Sequence, residues 1–318
     1  MKQERRKPYG EEYKTMAKEY KSADHEGKLH IAARYGVTLD SLKHWVSDGQ
    51  TEPTAYAQPT SYEGISHPLN LDITSKPTTL AIINDTHNPF QDRDALALTE
   101  TVLQEIKPDY IVYNGDVNDF YQLSTFDKNP ERANSLQDDI NSTIGMFVRH
   151  VEMFPLTKKI MLMGNHEDRL RKFLWSKSPA LGALDALSLE ELFHLKDFEI
   201  QLVPYEQGVM VNGVFLIIHG DLASQHSSYT AKSLFDKHGG CGIAGHSHRG
   251  GSFYKRDRFG THGWYENFCL CRLDPDWVKN PNWQQGFSLV HFHGKHFWIE
   301  QVPIIDKELI YGGKRYKV

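Results

Sequence analysis

Cysteine is scarce in this sequence of 318 residues, which contains three and has no Cys-x-x-Cys pair. A disulfide framework and a zinc ribbon both depend on closely spaced cysteines, so neither is expected. Cys269 and Cys271 lie two residues apart on a predicted strand and share one of its faces, where they cannot easily bridge. Together with Cys241, they are expected to be buried or half-buried thiols in a reducing compartment.

A long apolar run and a secretory signal are also absent. No stretch of about 18 apolar residues occurs, so we expect no transmembrane helix. The N-terminal residues Met1–Lys7 are charged and lack the apolar segment of a signal peptide. We therefore expect a cytoplasmic protein that has no membrane partner.

A strong charge of one sign is missing too, because 36 Lys and Arg residues nearly balance 41 Asp and Glu residues and leave a net charge of −5. This value does not indicate a nucleic-acid binder, although a local basic face is compatible with it. The sequence does contain 39% hydrophobic residues, which is enough for a sizeable core. Its length indicates one large domain, alone or with a small appendage.

Residues 1–49 have few strand formers and are predicted to form a small all-α module. Glu11–Tyr20 is predicted to be a helix, and another helix is expected over about Thr38–Ser47. Ala32 is small and Gly36 provides a turn between helices, which resembles the helix-turn-helix of small DNA-binding domains.

In a helix-turn-helix, the outer face of the second helix contacts DNA. The candidate residues on that face are Ser41, Lys43 and His44. Residues 1–50 carry ten Lys and Arg against eight Asp and Glu, so the module is barely basic. Since phosphate neutralisation supplies most non-specific affinity for DNA, a helical docking or oligomerisation module is the alternative.

Residues 50–77 are rich in Pro, Thr, Ser and Gly, which predicts a partly extended linker. From Thr78 onwards, apolar runs alternate with helical patterns, and this indicates βαβ units in an α/β core. The predicted strands are Leu80–Asn84, Tyr110–Asn114, Lys159–Met163, Val214–Ile218, Gly242–Ala244 and Trp264–Arg272. The predicted helices are Asp92–Gln104, Asn134–Phe154, Asp168–Trp175, Leu181–Leu195 and Tyr229–His238. Near the C-terminus, Phe287–Phe292 and His296–Val302 flank a hairpin turn and predict an antiparallel sheet edge.

Five of the predicted strands end in polar residues. Asp85 and His87 follow the first strand and point the same way, as residues i and i+2 of an extended chain do. In an open α/β sheet, ligands bind at the carboxyl ends of the strands. The five clusters, in chain order, are Asp85-Thr-His87, Gly115-Asp116-x-x-Asp119, Gly164-Asn165-His166-Glu167, His219 and Gly245-His246-Ser-His248. Five such ends in order do not readily arise by chance, and they predict one site.

The ordered set Asp-x-His, Gly-Asp-x-x-Asp, Gly-Asn-His-Glu, His and Gly-His-x-His resembles the motifs of the calcineurin-like metallophosphoesterase superfamily. The resemblance covers about Thr78 to Arg249. It implies a metallophosphoesterase domain over residues 78–318, with the α/β fold of a four-layer αββα sandwich of two mixed sheets. Phe120 follows Asp119 where many protein phosphatases of the superfamily have Arg, which argues against the protein serine/threonine phosphatase branch.

The resemblance also implies a site for two divalent metal ions. It assigns one ion to Asp85, His87, Asp116 and His248, and the other to Asp116, Asn165, His219 and His246. Carboxylates, imidazoles and an amide without a thiolate suit Mn²⁺, Fe²⁺ or Zn²⁺, of which we expect Mn²⁺ first. Asp116 is the natural bridge, because a carboxylate has two oxygens.

In the mechanism that the resemblance implies, a hydroxide that bridges both ions attacks phosphorus in line. His166 faces the leaving group as general acid or charge stabiliser, and Asp119 is expected to hydrogen-bond His166 and raise its pKa toward the working pH. Arg169 and Arg249 closely follow two of the motifs, and they are candidates to hold a phosphate oxygen.

The N-terminal module and a motif set similar to that of repair exonucleases favour a phosphodiesterase, a nuclease whose substrate is DNA. The aromatic candidates for base stacking, for which core packing is the other interpretation, are Trp264, Tyr265, Trp277 and Trp283. One alternative function is a phosphomonoesterase that acts on nucleotides or phosphoproteins. Another is a non-catalytic DNA-binding or assembly protein that keeps a residual metal site.

Overall fold

A computed structural model of the chain describes residues 8, 10–47, 68–73, 75–129, 131–132, 134–275 and 278–318. The chain divides into two compact units, Met1–Ile65 and Ser66–Val318. Among the described residues, no helix combines the length and the apolar composition needed to cross a membrane.

The helices and strands are as follows. The N-terminal unit contains the helices α1 (Gly10–Ser22), α2 (His25–Arg34) and α3 (Leu39–Ser47). The helices of the larger unit are α4 (Arg93–Ile106), α5 (Leu136–Met153), α6 (Asp168–Lys177), α7 (Leu189–Leu192) and α8 (Tyr229–His238). Its strands are β1 (Leu69–Leu71), β2 (Thr78–Ile83), β3 (Tyr110–Asn114), β4 (Lys158–Leu162), β5 (Ile200–Val203), β6 (Val209–Val211), β7 (Phe215–Ile218), β8 (Cys241–Ala244), β9 (Gly250–Asp257), β10 (Gly260–Asn267), β11 (Gln285–His293), β12 (His296–Ile304), β13 (Glu308–Tyr311) and β14 (Lys314–Lys317).

Two mixed six-stranded sheets form the larger unit. The first has the order β12-β11-β2-β3-β4-β5, in which β2 to β5 are parallel and β11 is antiparallel to both of its neighbours. The second has the order β1-β6-β7-β8-β10-β9, in which β7, β8 and β10 are parallel. Parallel strands end at the same edge of a sheet, so each sheet has one edge where several carboxyl ends meet.

Alternation of side chains along the strands produces four layers. Leu80 of β2 shares a core with Phe215 between the two sheets, whereas Ala81 faces the other way and shares a core with Phe147 of α5. On the outer face of the second sheet, Leu234 of α8 packs with β8 and β10. The predicted αββα sandwich of two mixed sheets is confirmed.

The three helices of the N-terminal unit share a small core of their own. Its buried residues are Tyr13, Met16, Ile31, Ala32 and Leu42. Tyr13 Oη donates to the carbonyl oxygen of Trp45 at 2.9 Å and ties α1 to α3. Gly36 turns the chain before α3 with a φ of 64°, and Thr38 Oγ1 accepts the N–H of Ser41 at 3.1 Å as a cap. The predicted helices and the glycine turn of this unit are present.

Two predicted segments differ from the structure. The helix predicted over Leu181–Leu195 is broken, because Ser188 has the extended angles φ −70° and ψ 153° and starts the one-turn α7 as its N-cap. Leu69–Leu71, which was assigned to the linker of residues 50–77, is the edge strand β1 and pairs with β6. Residues 48–67 and residue 74 lie outside the described part of the chain.

Candidate metal centre

The polar residues predicted at the strand ends meet at one place in the larger unit. Three clusters follow β2, β3 and β4 of the first sheet, and two follow β7 and β8 of the second. Each sheet therefore contributes loops from its carboxyl edge. The side chains that these loops bring together are Asp85, His87, Asp116, Asn165, His219, His246 and His248.

Five of these seven residues have a left-handed backbone, which residues other than glycine rarely adopt. The φ angles are 50° at Asp85, 48° at His87, 50° at Asp116, 65° at His246 and 55° at His248. Each such residue costs on the order of 1 kcal/mol or more and persists only where its surroundings enforce the conformation. Their concentration in one cluster indicates loops whose shape serves to direct these side chains.

The first group of convergent ligand atoms belongs to Asp85, His87, Asp116 and His248, all of which are buried. His248 Nε2 lies 3.2 Å from Asp85 Oδ1, and His87 Nε2 lies 3.7 Å from Asp85 Oδ1 and from Asp116 Oδ2. His87 Nδ1 lies 3.1 Å from Asp119 Oδ2. This contact orients the ring of His87 so that Nε2 faces the group.

The second group, Asp116, His219 and His246, shares Asp116 with the first. His219 Nε2 lies 3.3 Å from Asp116 Oδ2 and 3.2 Å from Asn165 Oδ1. His219 Nδ1 donates to the carbonyl oxygen of Asn114 at 2.8 Å, which leaves Nε2 without a proton in the neutral ring and able to bind a cation. Asp116 thus lies between the two groups, where a bridging carboxylate is required.

The candidate metal-ligand atoms of the first group are arranged as a bound cation would require. Asp85 Oδ1 is buried and makes no hydrogen bond within the part of the chain that the structure describes. His87 Nε2 and His248 Nε2 face each other at 3.1 Å, a contact in which only one of the two nitrogens can donate. A divalent ion that accepts carboxylate, imidazole and amide ligands would explain both the unpartnered oxygen of Asp85 and the opposed imidazoles. The residues present therefore fit the two metal ions expected from the sequence.

Two glycines let the loops approach each other. A Cβ at Gly164 would overlap the carboxylate of Asp116, and a Cβ at Gly115 would overlap the ring of His219. Gly115 also has a φ of 84°. The site itself therefore requires a residue without a side chain at both positions.

Glu167, the last residue of the Gly-Asn-His-Glu motif, has a positioning role that the sequence argument missed. Its buried carboxylate accepts hydrogen bonds from the backbone N–H groups of Gly164 at 2.7 Å, Asn118 at 2.9 Å and Asp116 at 3.0 Å. These bonds tie the loop after β3 to the loop after β4. In the sequence, only the position of Glu167 beside His166 in the Gly-Asn-His-Glu motif indicated this role.

Glu266 on β10 is a second buried carboxylate that the sequence argument missed. It accepts from Ser247 Oγ at 2.9 Å and from the backbone N–H of Ala231 at 3.2 Å. Glu266 therefore ties the loop that carries His246 and His248 to the first turn of α8. No motif in the sequence marks this residue.

His166 lies beside the first group, but its environment differs from the prediction. Its Nδ1 donates to the carbonyl oxygen of Asp119 at 2.9 Å, and Arg169 Nη2 donates to its Nε2 at 2.8 Å. Burial lowers the pKa of His166, and the carboxylates of Asp116 and Asp119 do not reverse this. Asp119 does raise the pKa of His166, as expected, but the lost hydration of the imidazolium outweighs it, so the pKa lies below its ordinary value instead of nearer the working pH.

Three other imidazoles of the site have raised pKa values. Burial alone would lower the pKa of His87, but its hydrogen bonds to Asp119 and Asp85 raise it. Burial alone would lower the pKa of His219, but Asp116 outweighs burial and raises it to about 9. Burial alone would also lower the pKa of His248, but Cys271 and Asp85 outweigh burial and raise this pKa to about 9. The site thus attracts positive charge, either as protons or as a metal ion.

Two cavities open on the site. We call the first the large cavity; it has a volume of 710 Å³ and is lined in part by Tyr121, Phe126, Lys128, His166 and Arg169. We call the second the small cavity; it has a volume of 300 Å³ and is lined in part by Phe90, Arg132, Arg272, Asp274 and Pro275. His87, His248 and Trp283 line both cavities. The first metal-binding group therefore borders both cavities through His87 and His248, whereas Asp116, Asn165 and His246 line the large cavity alone.

The two predicted phosphate-binding arginines differ in position. Arg169 lines the large cavity and donates to the carbonyl oxygen of Asp119 at 2.8 Å. Arg249 donates to the carbonyl oxygen of Ser247 at 2.9 Å and lines neither cavity. Only Arg169 lies where it can reach a phosphoester at the metal-binding groups.

The candidate residues for contacts with nucleic acid are similarly divided. Trp264 and Tyr265 are buried in the core, Trp283 lines both cavities, and Trp277 lies outside the described residues. In the N-terminal unit, all three candidates on α3 are exposed, namely Ser41, Lys43 and His44.

The family of the chain follows from its match to known sequences. The model of the family described as calcineurin-like phosphoesterase matches residues 78–294. The chain belongs to the calcineurin-like phosphoesterase family. It is therefore a metal-dependent phosphoester hydrolase, and the family predicted from the strand-end motifs is confirmed.

Several relatives and solved structures are similar to this chain. The Gene 54 protein of Mycobacterium phage D29 is 27% identical over 252 residues, an alignment that covers 75% of this chain and 98% of the relative. The Gene 54 protein of Mycobacterium phage L5 is 26% identical over 254 residues, with the same coverage. Vps29 from Cryptosporidium parvum has a TM-score of 0.42 and 10% identity over 76% of this chain and 99% of its own. The E. coli phosphoesterase YfcE has a TM-score of 0.33 and 12% identity over 67% of this chain and 90% of its own.

We expect metal binding to release protons near neutral pH. Because the pKa values of His219 and His248 are about 9, both are protonated at pH 7.5 in the metal-free chain, whereas a metal ion requires the neutral imidazole. Affinity for Mn²⁺ should therefore rise with pH until both groups have titrated. Calorimetry in buffers of different ionisation enthalpy measures the protons released. Heats that do not depend on the buffer would contradict the prediction, and Asp85→Ala should lose the binding itself.

Proposed function

We propose that this protein is a phosphodiesterase whose substrate is DNA. The position of His87 and His248, which line both the large and the small cavity, is the observation that carries the choice of a diester. A phosphodiester has an organic group on each side of phosphorus, and two adjoining cavities accommodate one group each. A phosphomonoester has one such group and fills only one cavity.

The residues proposed to hold the metal ions are those of the two groups. Asp85, His87, Asp116 and His248 would hold one ion, and Asp116, Asn165, His219 and His246 the other, with Mn²⁺ proposed ahead of Fe²⁺ or Zn²⁺. Such ions supply Lewis-acid chemistry, which polarises phosphoryl oxygens and lowers the pKa of water. The rest of the chain keeps the ligands in place, since Glu167 fixes the loop of Asp116 and Asp119 fixes the ring of His87.

His166 and Arg169 are proposed to act on the leaving-group side of the phosphoester. Because Nδ1 of His166 is fixed on the Asp119 carbonyl, Nε2 is the atom that faces the large cavity with Arg169 beside it. A leaving oxygen at this position would accept a hydrogen bond from Arg169 and, when Nε2 is protonated, from His166. The lowered pKa of His166 makes the protonated ring a stronger acid, so the pair combines a proton donor with a fixed positive charge.

Two sets of residues support DNA as the substrate. In the larger unit, Tyr121, Phe126 and Trp283 give the large cavity aromatic walls on which bases can stack, and Phe126 is 78% exposed. Lys128 and Arg169 add positive charge for backbone phosphates. In the N-terminal unit, α3 is the helix that would enter the major groove if the unit is a helix-turn-helix, with Ser41, Lys43 and His44 toward the bases.

A panel of substrates with Mn²⁺ tests the proposal. We expect kcat/KM to be higher for bis-p-nitrophenyl phosphate, a diester, than for the monoester p-nitrophenyl phosphate, and we expect single- or double-stranded DNA to be cleaved. A chelator should abolish both reactions, as should Asp85→Ala, whereas the exposed His194→Ala is a control outside the site. A preference for the monoester would favour a phosphomonoesterase that acts on nucleotides or phosphoproteins. No turnover of either would favour a non-catalytic protein with a residual metal site.

Replacement of His166 by alanine should slow esters with poor leaving groups most. General acid assistance is typically worth about 10²–10⁴-fold, and an alkoxide needs it whereas p-nitrophenolate leaves without a proton. We therefore expect kcat for a dinucleotide to fall by about that factor and kcat for bis-p-nitrophenyl phosphate to fall far less. Calorimetry should show unchanged Mn²⁺ binding. Equal losses for the two substrates would count against this role.

Reversal of one charge on α3 tests the N-terminal unit. Lys43→Glu should weaken the binding of the full chain to duplex DNA severalfold at low salt, and the effect should shrink as the salt concentration rises. The turnover of bis-p-nitrophenyl phosphate should not change. Lys21→Glu on α1 is the matched control, since Lys21 is also exposed. Fluorescence anisotropy with labelled duplex measures the affinity. If the two variants bind DNA equally, the unit is better described as a docking or oligomerisation module.

A further inference from the structure

We propose that the small cavity binds a nucleoside, namely the one that keeps the phosphate when the diester is cleaved. The inference rests on the proposed phosphodiesterase function and adds which ester group occupies which cavity. At 300 Å³, the small cavity lies at the lower end of the range of about 300–1,000 Å³ that is typical of ligand sites. Its size suits one nucleoside and does not suit a longer segment of a polynucleotide.

The walls of the small cavity have the chemistry that recognises a base. Trp283 is half-buried, and its ring centroid lies 4.3 Å from that of His248, so the indole borders the first metal-binding group. Phe90 adds a second aromatic surface, and the guanidinium of Arg132 lies 4.4 Å from the centroid of its ring. Aromatic rings stack on any base, so this site would select for a nucleoside without selecting for sequence.

A hydrogen-bonding pair completes the small cavity. Arg272 Nε and Nη2 donate to the two carboxylate oxygens of Asp274 at 3.0 and 2.9 Å. The pair is exposed at the cavity and offers both donors and acceptors, which the edge of a base or a sugar hydroxyl can use. Aromatic surface beside such a pair fits a nucleoside better than a purely apolar alcohol.

The positions of His166 and Arg169 indicate which ester group of the diester occupies which cavity. Both line the large cavity, and neither lines the small one. If this pair receives the leaving oxygen, the leaving alcohol lies in the large cavity. The other ester group then lies in the small cavity, on the other side of His87 and His248. Water adds to phosphorus, the P–O bond to the leaving alcohol breaks, and that oxygen takes a proton. The nucleoside then remains in the small cavity as its monophosphate.

Three diesters with the same leaving group, two nucleoside esters and one methyl ester, test this placement with Mn²⁺ and the full chain. The nucleoside esters are the p-nitrophenyl ester of thymidine 5′-monophosphate and its 3′ isomer, and the third diester is methyl p-nitrophenyl phosphate, which has no base. For at least one isomer, kcat/KM should exceed that of the methyl ester by about tenfold, because stacking one base contributes that much or more. Equal kcat/KM values for all three would overturn the proposal.

Variants of Trp283 test which side chain is responsible. Trp283→Leu keeps apolar volume but removes the ring, and it should reduce the preference for the nucleoside ester about tenfold. Trp283→Phe keeps a ring and should keep most of the preference. Trp298→Leu is the matched control, because Trp298 is 70% exposed on β12 and lines neither cavity. No loss of preference in Trp283→Leu, or an equal loss in Trp283→Phe, would overturn the proposal.

Equilibrium binding gives a second readout that does not require turnover. In calorimetry with Mn²⁺, the thymidine monophosphate of the preferred isomer should bind about tenfold more tightly than inorganic phosphate, and Trp283→Leu should lose this advantage. Turnover of diesters without the difference in binding would refute the nucleoside site alone. The difference in binding without turnover of either diester would refute the diesterase and support the nucleoside site.

Discussion

The burial of three carboxylates close to one another constrains the rest of the larger unit. Asp85, Asp116 and Asp119 are each at most 2% exposed, and a buried carboxylate is strongly unfavourable unless it is paired or hydrogen-bonded. Backbone groups supply part of the compensation, since Asp85 accepts the N–H of His246 at 3.0 Å and Asp116 accepts the N–H of His166 at 2.9 Å. The left-handed loop residues and the close glycines follow from this demand, because only such a backbone brings both donors and imidazoles to the same oxygens.

The position of the site could be predicted in part from the sequence, because parallel strands of one sheet end at one edge, so the apolar runs that lead to Asp85 and Asp116 had to end close together. That His219 of the second sheet joins them depends on how the two sheets pack, which the strand pattern does not show. The supporting carboxylate of Glu266 could not be predicted, since its partners are a side-chain hydroxyl and a backbone N–H that only tertiary contacts bring close, Ser247 Oγ and the N–H of Ala231 in α8. The depth of burial is not evident from the sequence either, and for this reason the net lowering of the pKa of His166 could not be predicted, although Asp119 raises that pKa as expected. The leucine spacing of Leu181–Leu195 suggested one helix, but a local cap at Ser188 prevailed over that pattern.

The family establishes the reaction type, while the choice of ester depends on other parts of the chain. The motifs form the metal-binding groups, and a shared fold and site of this kind can serve hydrolases with different substrates. The walls of the two cavities come from segments outside the motifs, such as residues 121–129 and 272–275, and from Trp283. Because no motif covers these segments, the resemblance could not predict them, and the substrate proposals depend on the geometry of the cavities.

The pairing of β2 has a consequence for biosynthesis. This strand leads into Asp85 and His87, and on one side its partner is β11, where Leu80 pairs with Val290. In a nascent chain, β2 can pair with β3 early, but it lacks its other neighbour until β11 has left the ribosome. Contacts between segments this distant in sequence form slowly. The sheet beside the metal-binding groups is therefore completed only late, so a product of interrupted translation that ends before β11 would contain all seven ligand residues but lack one of the two neighbours of β2.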